Sequence, residues 1–205
     1  MGLKGLFITF EGTEGSGKST QIKKAAAYLR KKGCKVLLLR EPGGTRVSEA
    51  LREIILNKEY KEMASSTELL LYLAARAQIV REKILPALQK GYAVICDRFE
   101  DSTLAYQGFG RKIPLRAIRE VSRLFVRGSL QPKLTILLKI SPKEGMKRGG
   151  RHDRMERQSY AFHEKVYRGF LALAKENSGR TKVIDARQSI DQVAAEIRKV
   201  LDRVL

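Results

Sequence analysis

Gly12-Thr13-Glu14-Gly15-Ser16-Gly17-Lys18-Ser19 fits the pattern G-x-x-x-x-G-K-[ST] at every fixed position. Residues 6–10 before it are apolar and β-branched, as in a strand, and residues 19–32 after it are rich in Ala, Leu, Lys and Gln, as in a helix. A strand, a glycine-rich loop and a helix in this order predict a phosphate-binding loop, because backbone N–H groups and the helix N-terminus then face the anion.

Two side chains of this loop have expected roles of their own. Lys18 is expected to reach the β- and γ-phosphates of a bound nucleotide, and the Ser19 hydroxyl is expected to bind Mg²⁺. The other residues expected around the phosphates are Gly12, Thr13, Glu14, Gly15, Ser16, Gly17 and Thr20.

Size and composition favour one compact domain over residues 1–205, since 43% of the residues are hydrophobic. The sequence contains no apolar run of 18 residues and no signal-peptide pattern, so we expect neither a membrane span nor a membrane partner. Cys34 and Cys96 lie beside or in predicted strands without metal-ligand spacing, which indicates a reducing cytoplasm.

The net charge of +19 raises the question of a polyanionic partner. The basic residues are spread along the whole chain, aromatic residues make up 7% and Trp is absent, so the pattern of a nucleic-acid-binding surface is missing. We therefore expect solvated surface and attraction of phosphorylated small molecules. A nucleic-acid-binding NTPase remains the alternative from a different functional class.

Strand and helix patterns alternate along the chain, which predicts an α/β fold: a P-loop NTPase three-layer fold with a parallel five-stranded sheet flanked by helices. The further predicted strands are residues 36–39, which read as a buried strand, 92–96, 134–140 and 182–184. The predicted helices are residues 19–32, 47–56, 67–89 with a kink at Pro86, 113–126, 158–176 and 189–204. The basic segment 147–157, with a glycine pair in its middle, is predicted to be a small mobile lid.

Three charged clusters follow predicted strands, at the edge where ligands bind to such sheets. They are the glycine loop, Arg40-Glu41 and Asp97-Arg98. Asp97 is expected to support Mg²⁺ directly or through a water. Arg98 is suited to grip a second phosphate with its two-pronged guanidinium, which favours a kinase with a phosphorylated acceptor over a simple NTPase.

The lid segment offers three arginines that could neutralise charge on a transferred phosphoryl group, namely Arg148, Arg151 and Arg154. Their spacing does not decide between them. Tyr72 and Arg76 stand four residues apart on a predicted helix and so share a face that could hold a nucleobase. His152 and His163 show no partner carboxylate in the sequence and are predicted to be surface residues.

Taken together, these residues resemble the thymidylate kinase family over nearly the whole chain. The resemblance rests on residues 10–20 (FEGTEGSGKST), 40–45 (REPGGT), 74–76 (AAR), 97–99 (DRF), 105–108 (AYQG) and 153–156 (DRME). The family implies phosphorylation of dTMP with ATP and Mg²⁺ by direct in-line transfer, and it implies a homodimer. A kinase for dUMP or a broader pyrimidine set remains the alternative within the class.

The resemblance also implies roles for individual residues. Glu14 would face the 3′-hydroxyl of the acceptor sugar, Arg98 and Arg52 would hold the dTMP phosphate, and Tyr72 would stack on thymine. The remaining implied contacts are those of Arg76 with a thymine carbonyl, Thr103 and Gln107 with the base edge, and Tyr106 with the deoxyribose, with Glu41 and Pro42 also at the acceptor. Because position 15 is Gly, the chain resembles the class whose catalytic arginine comes from the lid.

Overall fold

The structure is a computed structural model that describes residues 4–149 and 153–205. Five strands form one parallel sheet. They are β1 (Leu6–Glu11), β2 (Val36–Arg40), β3 (Ala93–Asp97), β4 (Leu134–Lys139) and β5 (Thr181–Asp185). The predicted α/β fold with a five-stranded parallel sheet is confirmed, and each predicted strand lies within two residues of an observed one.

The strand order β2-β3-β1-β4-β5 puts β1 at the centre of the sheet. β1 pairs with β3 from Leu6–Ala93 to Phe10–Asp97, so the ends of these two strands are level. The glycine loop after β1 and the Asp97-Arg98 pair after β3 therefore emerge side by side. Strand order and register alone therefore bring the glycine loop and the Asp97-Arg98 pair together.

Nine α-helices surround this sheet within the described part of the chain. They are α1 (Lys18–Lys31), α2 (Arg46–Leu56), α3 (Ser65–Ile79), α4 (Leu85–Gln89), α5 (Glu100–Thr103), α6 (Leu115–Ser122), α7 (Pro142–Arg148), α8 (Tyr160–Glu176) and α9 (Ile190–Leu201). Wider π-helical segments follow three of them, at Val80–Ile84, Leu104–Gly110 and Arg123–Arg127.

Alternating strand residues fill the two faces of the sheet. Ile8 and Phe10 pack with α1 and α9 on one face, where α1 contributes the fully buried Leu29. Phe7 and Val94 pack on the other face against the α3–α4 region. Helices on both faces explain why the strands are almost continuously apolar, as expected of a parallel sheet.

The structure departs from the sequence predictions at two places. Residues 36–39 were predicted to be a buried strand, but β2 is an edge strand and Leu38 is 37% exposed. Residues 100–110 carried no helix prediction, yet α5 and the segment Leu104–Gly110 are helical. Two glycines in that segment weaken its helix signal, and packing against α8 supplies the stability that local propensity lacks.

The long helix predicted at residues 67–89 is present as α3, the segment Val80–Ile84 and α4 in succession. Pro86 has no N–H and its ring crowds the carbonyl four residues earlier, which accounts for a widened turn just before it. None of the helices within residues 4–149 and 153–205 is long and apolar enough to cross a membrane.

Candidate active site

The glycine loop closes tightly between β1 and α1. Gly12, Gly15 and Gly17 have φ angles of 139°, 69° and 84°, which side chains disfavour. A Cβ on Gly15 would lie 2.1 Å from the carbonyl oxygen of Gly145 in α7, and a Cβ on Gly145 would lie 2.3 Å from the carbonyl oxygen of Glu14. The loop and α7 thus touch backbone to backbone.

Lys18 lies buried in the first turn of α1, with its ammonium group inside the loop. Its Nζ donates to the carbonyl oxygens of Gly12 and Thr13, both at 3.1 Å, and to Ser16 Oγ at 3.4 Å. Burial, together with the nearby charge of Arg98, lowers the pKa of Lys18 to about 8. Ser19 and Thr20 are exposed at the same helix end.

Arg98 occupies a left-handed backbone conformation, with φ at 70°, directly after β3. Its Nη1 donates to Gly12 O at 3.0 Å and to Ser102 Oγ at 3.2 Å, while its Nη2 donates to Glu14 Oε1 at 3.1 Å. The guanidinium also lies over the ring of Tyr106, at 5.1 Å from its centroid. Arg98 therefore connects the phosphate-binding loop with the segment after β3.

Glu14 contacts several side chains from outside the loop. Its Oε1 accepts from Arg98 and from the Tyr106 hydroxyl, and its Oε2 lies 3.5 Å from His163 Nδ1. Burial alone would raise the pKa of Glu14, but the hydrogen bond with His163 and the charges of Arg98 and Lys18 outweigh it and hold that pKa well below its ordinary value.

The prediction that His163 is a surface residue is therefore wrong. His163 is 2% exposed, lies on α8, and its partner carboxylate is more than a hundred residues away in the sequence. Nothing in the local pattern pointed to that contact. His152, the other predicted surface histidine, lies outside the described residues.

A buried ion pair joins the segment 40–45 to α3. Arg76 Nε donates to Glu41 Oε2 at 2.5 Å, and its two Nη atoms donate to Thr103 Oγ1 at 2.8 Å and Phe99 O at 2.9 Å. Burial raises the pKa of Glu41, although Arg76 opposes the shift. Nearby, Arg52 Nη1 donates to Pro42 O at 2.8 Å.

One cavity lies next to these groups. All ten residues predicted to bind the acceptor line it, namely Glu14, Glu41, Pro42, Arg52, Tyr72, Arg76, Arg98, Thr103, Tyr106 and Gln107. Leu56, Ser102, Asp153, Met155 and Glu156 also line it and were not predicted. Residues scattered over more than 140 positions thus line one cavity.

The three predicted lid arginines are placed differently. Arg148 donates from Nη1 to Ala186 O at 2.9 Å, on the β5 side of the loop. Arg154 is buried, donates to Ile55 O at 2.9 Å and pairs with Glu68 at 2.7 Å. Arg151 lies outside the described residues. Among the two described arginines, Arg154 is therefore tied to α2 and α3 rather than to the phosphate-binding loop.

A carboxylate that sequence reasoning missed, Glu11, ends β1 and is 1% exposed. Its Oε1 accepts from the backbone N–H of Phe99 at 2.7 Å, and its Oε2 accepts from Ser102 Oγ at 2.5 Å. Burial and the nearby charge of Asp101 raise the pKa of Glu11 to about 7, against the hydrogen bonds and the charge of Arg98. Glu11 thus fixes the turn that carries Arg98.

Asp97 ends β3 beside this turn, and its Oδ1 is buried without a hydrogen-bond partner in the described structure. Within that part of the chain, no group of three or more His, Cys, Asp or Glu side chains is arranged to hold a metal ion. Mg²⁺ in nucleotide-binding enzymes needs only one or two protein ligands beside the phosphates. The unpartnered oxygen of Asp97 fits such a site.

Comparison with known proteins gives a consistent result. The model of the thymidylate kinase family matches residues 10–197. The thymidylate kinase of Geobacillus sp. (strain WCH70) is 45% identical, and the match covers 98% of this chain and 99% of that protein. The thymidylate kinase of Geobacter sulfurreducens is 46% identical, and the match covers 96% of each chain. The crystal structure of thymidylate kinase from Ehrlichia chaffeensis is similar, with a TM-score of 0.80 and 35% identity over 96% of this chain and 98% of that one.

The raised pKa of Glu11 predicts a pH-dependent stability. A carboxyl with a folded-state pKa of about 7 against an ordinary 4.5 stabilises the fold fully below pH 4.5, and loses that contribution as the pH rises through 7. Glu11→Gln cannot ionise and should gain on the order of 2–3 kcal/mol of unfolding free energy relative to the wild type between pH 5 and pH 8. Urea unfolding of both proteins at the two pH values measures this difference, and a constant difference would contradict the prediction.

Proposed function

The chain belongs to the thymidylate kinase family, and from that premise we propose that it transfers the γ-phosphoryl group of ATP to the phosphate of dTMP. It is a dTMP kinase in which ATP lies on the glycine loop and dTMP fills the cavity beside Arg98. The observation that carries this arrangement is the position of Arg98. Its guanidinium contacts the loop at Gly12 and also lines the cavity, so it spans the donor and acceptor sites.

The acceptor is held by groups that differ along the cavity. Arg98 and Arg52 bind the dTMP phosphate, since guanidinium groups match phosphate geometry. Tyr106 lies against the deoxyribose, with Glu14 facing the 3′-hydroxyl. Tyr72 stacks on thymine at the far end, while Arg76 and Thr103 face the base edge. The ion pair of Arg76 with Glu41 supports this role because it locks the guanidinium in place at the cavity wall.

The reaction is an in-line displacement. A phosphate oxygen of dTMP attacks the γ-phosphorus of ATP, the bond to the β-bridging oxygen breaks, and ADP leaves with the electron pair. That attacking oxygen is already anionic near neutral pH, so positioning and charge neutralisation carry the rate instead of a general base. Lys18 neutralises the β- and γ-phosphates, and its carbonyl contacts hold it in the loop.

Mg²⁺ would be the second cofactor. The Ser19 hydroxyl and Asp97 would hold it, Asp97 directly or through a water, and the ion would neutralise charge on the ATP phosphates. The exposed position of Ser19 at the start of α1 and the unpartnered buried oxygen of Asp97 support this assignment.

A lid arginine completes the charge neutralisation. The lid covers residues about 147–157 of a single domain that spans the whole chain. Arg154 is the weakest of the three candidates, because its guanidinium is engaged with Glu68 and Ile55 O. Arg148, the last residue of α7, and Arg151, which lies outside the described residues, remain as candidates.

The protein works as a homodimer in the cytoplasm. Leu70 on α3 is 59% exposed, and Leu124 and Phe125 on the adjoining segment Arg123–Arg127 are 55% and 76% exposed. Such a cluster of large apolar side chains on neighbouring helices is typical of a protein interface. The two free cysteines, Cys34 and Cys96, agree with a reducing compartment.

Acceptor choice tests the function directly. A coupled assay of ADP release, run with ATP and with dTMP, dUMP, dCMP, AMP and GMP in turn, should give the highest kcat/KM with dTMP. Comparable efficiency with AMP or GMP would contradict the assignment. DNA-stimulated ATP hydrolysis that weakens steeply with salt would instead favour a nucleic-acid-binding NTPase.

Arg98→Ala should lower kcat/KM for dTMP by at least about a hundredfold, because it removes a charge-assisted grip made on the acceptor phosphate. Lys18→Ala should lower activity at least as much through the donor. Arg119→Ala, which removes an exposed arginine paired with Glu176, is the matched control and should leave activity within about twofold. Near-normal turnover of Arg98→Ala and Lys18→Ala would contradict this mechanism.

The dimer is tested by charge placed in its interface. Phe125→Glu should shift the protein from twice its 23.1 kDa chain mass to the monomer mass in light scattering after gel filtration. Ile190→Glu alters a residue that is 55% exposed on α9 and should leave the mass unchanged. A wild-type protein that already elutes as a monomer would exclude the proposed dimer.

A further inference from the structure

Glu68 is a buried carboxylate that has no role in the mechanism above. It lies in the first turn of α3 and is 0% exposed. Its Oε1 accepts from Gln107 Nε2 and Arg111 Nε, both at 3.0 Å, and its Oε2 accepts from Arg111 Nη2 at 2.9 Å and Arg154 at 2.7 Å. These hydrogen-bond donors fix the orientation of the buried Glu68 carboxylate.

The two arginines keep Glu68 ionised. Burial alone would raise its pKa, but the hydrogen bonds from Arg111 and Gln107 and the charges of Arg111 and Arg154 together hold that pKa below its ordinary value. An ionised carboxylate accepts hydrogen bonds and donates none. Whichever group of Gln107 faces Glu68 must therefore be the amide nitrogen.

Because the amide nitrogen of Gln107 must face Glu68, the position of its carbonyl oxygen relative to the cavity is also fixed. Gln107 lines the cavity, whereas Glu68 lies behind it and does not. The nitrogen and oxygen of an amide lie on opposite sides of its carbon, so fixing the nitrogen on Glu68 turns the carbonyl oxygen of Gln107 away from Glu68 and toward the cavity. A glutamine free to rotate would present either a donor or an acceptor.

We propose that Glu68 sets the base specificity of the acceptor site, as a positioning residue that acts through the side-chain amide of Gln107. An acceptor held at this edge pairs with the N3–H of thymine or uracil. It meets a second lone pair at N3 of cytosine, which carries no hydrogen. This inference rests on the proposed function, because it takes the cavity to be the site of the pyrimidine base.

The test measures binding of dTMP and dCMP by isothermal titration calorimetry, in the wild type and in Glu68→Gln. The neutral amide at position 68 can donate as well as accept, so Gln107 regains the freedom to turn over. The ratio of the dCMP Kd to the dTMP Kd should fall about tenfold or more, which is the discrimination expected of one hydrogen bond to a base edge. An unchanged ratio would overturn the inference.

Two further variants separate positioning from a general loosening of the site. Arg111→Met removes one arginine from Glu68 but leaves its contact with Gln107, so the ratio should stay within about twofold while the melting temperature falls. Gln107→Met removes both edges of the amide and should lower the ratio by itself. Adding Glu68→Gln to Gln107→Met should then change the ratio no further.

The outcomes distinguish this inference from the proposed function. A wild type that binds neither nucleotide contradicts the function itself. In another outcome the wild type prefers dTMP while Arg111→Met and Glu68→Gln lower the Kd ratio equally. The preference would then depend on the intact group of Glu68, Gln107, Arg111 and Arg154, and the specific role of Glu68 would be overturned. If Glu68→Gln lowers the Kd ratio further in the Gln107→Met background, Glu68 does not act through Gln107.

Discussion

The contact between Glu11 and the turn after β3 is the interaction on which the rest of the site depends. Arg98 adopts a left-handed backbone conformation, which costs an ordinary residue of the order of 1 kcal/mol or more. The Glu11 carboxylate offsets this cost by accepting from Phe99 N–H and Ser102 Oγ, and Ser102 in turn accepts from the Arg98 guanidinium. The two central strand ends are thereby joined through one side chain, and the geometry of the phosphate-binding loop and of Arg98 is set together.

Buried carboxylates recur around this centre, and each has an arginine beside it. Glu41 pairs with Arg76, Glu68 with Arg111 and Arg154, and Asp101 with Arg180 through two hydrogen bonds of 3.0 and 2.9 Å. Removal of one partner from such a pair leaves an uncompensated buried charge, which is far costlier than the net value of the pair. A part of the arginine content therefore serves the interior of the protein, and the net charge of +19 does not by itself describe a surface for polyanions.

The sequence was sufficient to predict the sheet and to name ten of the residues that line the cavity, for different reasons. Strands such as β1 and β3 are continuous apolar runs, and their periodicity is a local property. The cavity residues were reached through motif resemblance, because Tyr72 and Gln107 carry no signal of their own. His163, Glu11 and Glu68 were missed since their roles depend on partners distant in the chain, such as Glu14 for His163. Residues 100–110 were missed because tertiary packing overrides a weak local preference.

The close approach of Gly15 and Gly145 restricts how this enzyme can change. A side chain at position 15 would overlap the carbonyl of Gly145, and a side chain at position 145 would overlap that of Glu14, so neither position tolerates substitution alone. An arginine at position 15 would need α7 to stand further from the loop. A single substitution at position 15 is therefore excluded by the backbone of another element, and only a change that also displaces α7 would make room for a side chain there.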